Sequence, residues 1–317
     1  MEWNGMIGYI VLFLTAAVKA GTPLLFATLG ETITERAGNL NLGVEGLMLM
    51  GAVAGFQAGL STSNPFLALI AALLAGALGA SMFAFLTVTL RANQIVTGLS
   101  LTILGSGIAG FMGQKLGGQV VPSSVKAWFV SIKIPILGDI PGLGQIFFNH
   151  NILVYVGYLS VIGFGFYLFH TKKGLNLRAV GENPGAADVA GINVSLYKYI
   201  HILIGGALCG LGGAYLSLVH VPAWQENITA GRGWIAVALV IFTSWSPYKA
   251  IIGAFFFGGL DILGLYLQKF DIKISQYLLD MLPYVVTVLV LIITSIKKSK
   301  KNAPPKSLGE SYFREER

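Results

Sequence analysis

The chain has 317 residues, of which 55% are hydrophobic and only 11% are charged, and its net charge is +7. Soluble domains carry about 25% charged residues. This composition, with a mean hydropathy of +0.73, therefore excludes an ordinary soluble domain and predicts an integral membrane protein. In so apolar a chain, the positive charge is better explained by the orientation of the chain in the membrane than by nucleic-acid binding. The single cysteine, Cys209, excludes an internal disulfide.

Apolar segments near the length needed to cross hydrocarbon, about 20 residues, recur along the whole chain. We predict an all-α integral membrane protein with about nine (8–10) transmembrane helices, some broken or re-entrant, in two pseudo-repeated halves. The expected crossings are Met6–Leu29, Asn41–Leu60, Pro65–Leu90, Gln94–Gly113, Ile152–His170, Tyr197–Val219, Trp234–Ser246, Ala250–Gln268 and Tyr277–Ile296. The seventh is too short to span as a helix, so we expect it to be broken or re-entrant.

The stretch Gly30–Gly51 is polar although apolar runs precede and follow it. It contains charged side chains and two asparagines, namely Glu31, Glu35, Arg36, Glu45, Asn39 and Asn41. A polar turn between two helices would explain them, but such a turn needs far fewer residues. Ionisable groups and unpaired backbone are costly in hydrocarbon. We therefore favour a helix that is broken near membrane depth and lines a solute path.

The basic residues set the expected topology. If the tail Lys297–Arg317 is cytoplasmic, nine crossings place the amino terminus outside, and most basic residues lie on the cytoplasmic side, chiefly because of the tail. Residues 1–296 would form the membrane domain, and 297–317 a disordered basic tail near anionic lipid. The longest outer loop, Lys115–Asn149, would cap the pore or receive a partner, or would be a simple connection.

The segment Thr171–Tyr197 holds a second short pattern. After a basic entry we predict a glycine turn at Gly181 and a short helix, with Asn183 as its cap and Pro184 at its first position, stopped by Gly191. A helix of about two turns is marginal alone and needs a surface to dock on. It would either transmit force to a soluble partner or belong to an ordinary interhelical loop, and the residues alone favour neither.

Motifs for covalent chemistry are absent from the sequence. There is no GxxxxGK[S/T] phosphate loop, no histidine pair at metal-ligand spacing and no catalytic triad pattern. We expect a protein that is not an enzyme, has no nucleotide-binding site of its own, and binds no metal or cofactor. The tryptophans Trp224, Trp234 and Trp245 flank predicted span ends and are expected to anchor the chain at the membrane interface.

Three motifs carry a resemblance to a known family. GENPGAADVAG, residues Gly181–Gly191, resembles the coupling loop of permeases in ATP-binding-cassette (ABC) importers. GETITERAGNLNLGVEG, from Gly30, and TAGRG, residues Thr229–Gly233, resemble the branch that imports simple sugars, nucleosides and branched-chain amino acids. The similarity is greatest to permease subunits of bacterial nucleoside importers. It covers nearly the whole chain, except that the chain lacks the additional amino-terminal span of the sugar permeases.

The resemblance implies a set of partners. They are a second permease chain in a heterodimer, a cytoplasmic ATPase that holds the ATP and magnesium, and an external substrate-binding lipoprotein, in a bacterial cytoplasmic membrane. The substrate would be a nucleoside, with a ribose-type sugar as the alternative and branched-chain amino acids less favoured. The ATPase would contact the short helix through Glu182, Asn183, Pro184, Ala187, Asp188 and Gly191.

The two halves contain matching interruptions, at Ala37–Glu45 and at Thr229–Trp234. Corresponding broken segments in two halves indicate a binding or gating site in transporters. We expect the path to be lined by Asn39, Asn41, Glu45, Arg232 and Trp234. We weigh the charged residues evenly between this path and a structural ion-pair network near the inner face, namely Glu31, Glu35, Arg36 and Glu45. An ion-coupled secondary transporter is the rival interpretation, with Lys19, Glu45 or Asp261 as its titratable group.

Overall fold

The computed structural model describes residues 2–268, 275–296 and 303–314. Seven helices in these ranges are long and apolar enough to cross a membrane: Ile7–Arg36, Val44–Thr62, Pro65–Thr89, Gln94–Leu116, Ile152–His170, Val194–His220 and Pro247–Leu267. Two shorter apolar helices, Arg232–Phe242 and Met281–Val290, lie where the two remaining crossings are expected. The prediction of an all-α membrane protein is confirmed.

Thirteen α-helices follow one another along the described chain. They are α1 (Glu2–Arg36), α2 (Val44–Thr62), α3 (Pro65–Ala84), α4 (Gln94–Gly113), α5 (Ser123–Trp128), α6 (Leu143–Phe147), α7 (Ile152–His170), α8 (Lys172–Glu182), α9 (Pro184–Val189), α10 (Val194–Tyr215), α11 (Arg232–Phe242), α12 (Pro247–Gln268) and α13 (Gln276–Ile296). Five-residue π-helical turns extend α3 and α10. Two short antiparallel strands, β1 (Ile132–Lys133) and β2 (Asn149–His150), pair with Ile132 opposite His150.

Asparagine side chains determine where several helices begin. In each case the side chain accepts a hydrogen bond from a backbone N–H of the first turn, at Asn64, Asn93, Asn151, Asn183 and Asn193. The first amides of a helix have no partner within the helix, and burying them unpaired is costly. Asparagine at the cap position removes that cost, which is why these helices begin there.

Helices α1, α2, α3 and α10 form the centre of the bundle and approach one another closely through glycines. A Cβ atom at Gly51 in α2 would overlap the backbone of Gly210 in α10, and one at Gly30 in α1 would overlap Gly205 of α10. Close approach through small residues is how helices pack where water supplies no hydrophobic force between them.

The bundle has two distinguishable ends. The "α9 end" carries α8 and α9, and the backbone of Gly181 in α8 lies against the carbonyl of Arg36 at the end of α1. The "loop end" carries residues 114–151, which contact the early part of α1, where Thr15 Oγ1 donates to Gln145 O at 3.3 Å. The loop also reaches the segment after α10, since Val121 N donates to Pro222 O at 3.0 Å.

Two sequence predictions at the α9 end are wrong. Gly181 does not form a turn, because it lies inside α8, where only a glycine fits against Arg36 O. Residues 303–314 are not a disordered tail, since Ser307 and Gly309 bond to the backbone of Gly181 and Gly38. The remaining tail residues, 297–302 and 315–317, lie outside the described residues.

Candidate functional site

The first polar stretch breaks the chain inside the bundle. α1 ends at Arg36, residues 37–43 are not helical, and α2 begins at Val44. A Cβ atom at Gly46 would come within 2.5 Å of the carbonyl oxygen of Leu101, in α4. Leu101 lies about seven residues into α4, so at 1.5 Å per residue the contact is about 10 Å from the start of that helix. The start of α2 therefore lies in the interior of the bundle, as predicted.

The second break precedes α11. Residues 221–231 run from the loop end into the bundle without forming a helix, and Ala230 and Gly231 both have positive φ angles, 46° and 82°. The α11 helix then has 11 residues. At 1.5 Å per residue it is about 16 Å long, roughly half the thickness of the hydrocarbon. The seventh crossing is thus a non-helical segment that ends in turns, followed by a half-length helix.

The two breaks meet at the carboxylate of Glu45, in the first turn of α2. Glu45 Oε1 accepts hydrogen bonds from Thr229 Oγ1 at 2.6 Å and from Gly231 N at 2.9 Å, and Oε2 accepts one from Gly233 N at 2.6 Å. The residue is 6% exposed. A carboxylate there satisfies free amides at the start of α11 and is favoured by the dipoles of both helices. We call these four residues the Glu45 junction.

The two asparagines of the first break are held by backbone contacts. Asn41 N donates to Glu31 Oε1 at 2.9 Å, and Asn41 Oδ1 accepts from Gly43 N at 2.8 Å. Asn39 is buried, and its amide makes a long local contact of 3.5 Å with Ala37 O. Both asparagines lie in the non-helical segment that leads to Glu45, and their observed bonds are to residues 31–43.

The group Glu31, Glu35 and Arg36 is a hydrogen-bonded network that reaches the second half of the chain. Glu35 accepts a hydrogen bond from the indole nitrogen of Trp245, and Arg36 donates to Trp245 O through Nε at 3.1 Å and Nη2 at 3.0 Å. Trp245 is 3% exposed, so its predicted role as a membrane-interface anchor is wrong. Trp224 is buried as well, against Phe56.

Arg232, predicted to line the path, is paired with an acidic side chain. Its Nη2 lies 2.6 Å from Asp261 Oδ2 on α12, and Nη1 donates to Thr229 O at 3.3 Å. This pair explains both charges at membrane depth, because each neutralises the other. Asp261 is thus an ion-pair partner of Arg232 and not an isolated carboxylate. Trp234, the last of the predicted path residues, is 37% exposed.

A cavity of about 340 Å³ lies between α2, α4 and the segment that leads to the junction. Half of its lining is polar, from Ser106, Gln114, Glu226 and Asn227, and the rest is Leu49, Ala109, Gly110 and Trp224. Its volume falls in the range of small-molecule sites, about 300–1,000 Å³. None of these residues was predicted to line a solute path, although the polar run Gln225–Asn227 inside an apolar region was a usable signal.

The short helix at the α9 end forms as predicted. Asn183 Oδ1 accepts from Ala186 N at 2.9 Å, Pro184 occupies the first helical position, and Gly191 follows the helix with φ +82°. Ala187 is buried against Val180 and Val194, while Val189 is 72% exposed. One side of the helix therefore packs on the bundle and the other side is exposed. Glu182 and Asn183, just before the helix, are exposed as well.

Comparison with known proteins places this arrangement in context. Residues 12–291 match a family described as the permease component of branched-chain amino acid transport systems. A Haloferax volcanii protein named for glucose ABC transport is 38% identical, over 95% of this chain and 97% of its own. A guanosine ABC transporter permease of Bacillus subtilis is 35% identical, over 90% and 92%, and a nucleoside ABC transporter permease of Lactococcus lactis is 34% identical, over 92% and 94%.

Two further similarities concern assembly and fold. A second guanosine permease of Bacillus subtilis and a second nucleoside permease of Lactococcus lactis also match the chain, at 25% and 22% identity, so these relatives occur in pairs. A solved metal-chelate type ABC transporter in an inward-facing conformation superposes with a TM-score of 0.51, covering 90% of this chain and 85% of that one. At 13% identity this likeness supports the fold alone.

Proposed function

The chain belongs to the family of ABC transporter permeases described for branched-chain amino acid transport, and on that premise we propose that it conducts nucleosides as one half of an importer's pore. The observation that carries the proposal is that relatives named for guanosine and nucleoside transport align with at least nine-tenths of this chain. Both broken segments fall within residues 12–291, the part of the chain that matches the family.

We propose that the solute path leads from the cavity beside Asn227 to the Glu45 junction. The cavity offers amide, hydroxyl and carboxylate groups, which suit the hydroxyls and base edges of a nucleoside. Asn39 and Asn41 border the path from the first half, and Arg232 and Trp234 from the second. The backbone at both helix breaks is where a small rotation of α2 or α11 would open or close this route.

Energy comes, in this proposal, from a separate ATPase that binds the ATP and magnesium. The exposed side of α9, with Glu182, Asn183 and Val189, is the surface on which it pushes. This assigns the α9 end to the cytoplasm and the amino terminus to the outside, in a bacterial cytoplasmic membrane, consistent with the basic carboxyl-terminal residues. An external lipoprotein delivers the solute to the loop end, and a second permease of the same family supplies the other half of the pore.

The test is a transport assay with the complete importer. This chain, the second permease, the ATPase and the receptor are reconstituted in vesicles, and ATP-driven uptake of labelled guanosine is measured against unlabelled competitors. We expect nucleosides to compete and ribose and glucose to have no effect at the same concentration. Competition by a sugar, without competition by any nucleoside, would refute the nucleoside assignment.

A sugar permease is the second candidate, because the Haloferax volcanii relative named for glucose is 38% identical over nearly the whole chain. The same competition assay separates the two. An ion-coupled secondary transporter is disfavoured by the pairing of Asp261 with Arg232. Uptake that continues after ionophores collapse the ion gradients, but stops without ATP, is the expected result. The opposite result would establish this rival.

A further inference from the structure

Residues 303–314, which we call the C-terminal strap, cross the α9 end of the bundle. Ser307 is 4% exposed, and its backbone N and its Oγ both donate to Gly181 O, at 3.0 and 2.6 Å. Two residues further on, Gly309 N donates to Gly38 O at 3.2 Å. The strap therefore contacts both α8 and the non-helical segment 37–43.

The far end of the strap holds α9. Tyr312 Oη donates to Asp188 Oδ2 at 2.9 Å, and Arg314 Nε lies 3.3 Å from the same oxygen. The Asp188 side chain is 15% exposed and that of Arg314 is 75% exposed, so solvent screens the ion pair and the tyrosine makes the stronger contact. The ring of Tyr312 also packs against the buried cluster that includes Ala187 of α9.

A glutamine side chain connects the strap to the first helix break. Gln94 Oε1 accepts from Leu40 N at 2.7 Å, and Gln94 Nε2 donates to Glu310 O at 3.3 Å. Gln94 is 2% exposed, so water does not compete for these bonds. Leu40 lies in the non-helical segment 37–43, five residues before Glu45. A continuous chain of contacts thus runs from Asp188 to the broken segment.

We propose that the C-terminal strap is a positioning element of the coupling apparatus, which joins α9 and the segment 37–43 into one mechanical unit, with Tyr312 as its positioning residue on α9. The inference rests on the proposed role of α9 as the contact for the ATPase. A helix of six residues has little stability alone and moves with whatever surface holds it. With the strap bound, a push on α9 displaces the first helix break. Without it, part of that motion is lost within α9.

The experiment uses the complete importer in vesicles and measures solute transported per ATP hydrolysed. The variant Tyr312→Phe keeps the ring and removes only the hydroxyl that binds Asp188. We expect transport per ATP to fall about tenfold, the factor that follows from losing one hydrogen bond to a charged acceptor, while receptor-stimulated hydrolysis continues. Arg314→Gln, at an exposed side chain, is expected to cause a smaller fall of about twofold.

Lys306→Ala is the matched control, since Lys306 lies in the same strap and its side chain is exposed. We expect it to behave like the wild type. A second measurement tests whether Tyr312 acts through Asp188, because Asp188→Ala removes the acceptor of the Tyr312 hydroxyl. The transport per ATP of the double variant Tyr312→Phe with Asp188→Ala should be no lower than that of Asp188→Ala alone.

An unchanged ratio in Tyr312→Phe, in an importer whose wild type couples normally, overturns the strap proposal and leaves the proposed function intact. A lower yield of assembled importer with an unchanged ratio overturns it too, since that is the result of a purely structural strap. If the wild-type chain shows no ATP-driven uptake with any nucleoside or sugar, the proposed function fails, and the role of the strap fails with it.

Discussion

Replacing Glu45 by glutamine tests the central contact between the two halves of the chain. The amide has nearly the same shape as the carboxylate, but one of the two oxygens becomes an NH₂ group, which cannot accept a hydrogen bond. Three donors converge on the carboxylate, from Thr229, Gly231 and Gly233. Whichever way the amide is turned, at least one of the three donors therefore loses its acceptor. The remaining donors bond to a neutral oxygen instead of a charged one.

The magnitude follows from these contacts. A hydrogen bond to a charged group contributes about 1.5–3 kcal/mol, and the favourable interaction of the carboxylate with the two helix dipoles adds about 0.3–1 kcal/mol per helix. Since the 6% exposed side chain has little access to water, the loss is not made good by solvation. We expect Glu45→Gln to destabilise the packing of α11 on α2 by about 3 kcal/mol.

Thermal unfolding of the purified importer in detergent, followed by ATP-driven uptake in vesicles, measures both consequences. Asp139→Asn is the control, because Asp139 is also a paired carboxylate but lies on the exposed surface with Lys133, where the pair contributes little. We expect a lower unfolding temperature and loss of uptake for Glu45→Gln only. Equal unfolding temperatures for the two variants would refute the claim that the buried carboxylate joins the two breaks.

Four further outcomes are expected. Asn41→Leu removes the acceptor for the Gly43 N–H and should destabilise the protein by about 1 kcal/mol, whereas Asn41→Asp, which keeps an acceptor, should be milder in the same thermal assay. Gly51→Ala places a methyl group against the α10 backbone and should abolish assembly, whereas Gly107→Ala, which faces open space, should not; yield after gel filtration reports both. Asp261→Asn leaves the Arg232 guanidinium without its counter-ion and should cost about 2 kcal/mol, yet uptake should remain independent of the proton gradient. Burial lowers the pKa of His150, so the unfolded chain binds the proton more readily. The stability due to this residue is therefore full at neutral pH and is lost as pH falls below about 6.5; His150→Gln should flatten that part of the thermal stability profile.

Hydropathy predicted the long helices because each is set by a property of its own residues. The long apolar run Pro65–Leu90 cannot be placed in water, and Asn64 with Pro65 determines where the helix starts. The short helix after Asn183 could be predicted from neighbouring residues too, since its cap, its first proline and its terminating glycine lie within nine residues. Local patterns of this kind need no knowledge of the tertiary structure.

The contacts between distant residues could not be predicted in the same way. Nothing in the sequence near Glu35 indicates that its partner is Trp245, 210 residues later. The tryptophan was expected at the membrane interface because that is its common place at the end of a span, yet here its indole N–H satisfies a buried carboxylate. The strap was misjudged for a similar reason. Its composition is that of a disordered tail, and its order comes from backbone bonds to Gly38 and Gly181, which composition does not report.

The position of α11 shows that the polar stretch 31–45 connects the two halves of the chain. The amino-terminal end of α11 is bound by Glu45, and the residues just after its carboxyl-terminal end are bound by Glu35 and Arg36 through Trp245. We expect a helix held at both ends by one segment to move with that segment. Arg36 O also lies against Gly181 of α8, so residues 31–45 contact both α8 and α11. Charged groups are costly to bury. Here they form directional hydrogen bonds between the two halves, which fix the relative position of the halves more tightly than hydrophobic contacts alone would.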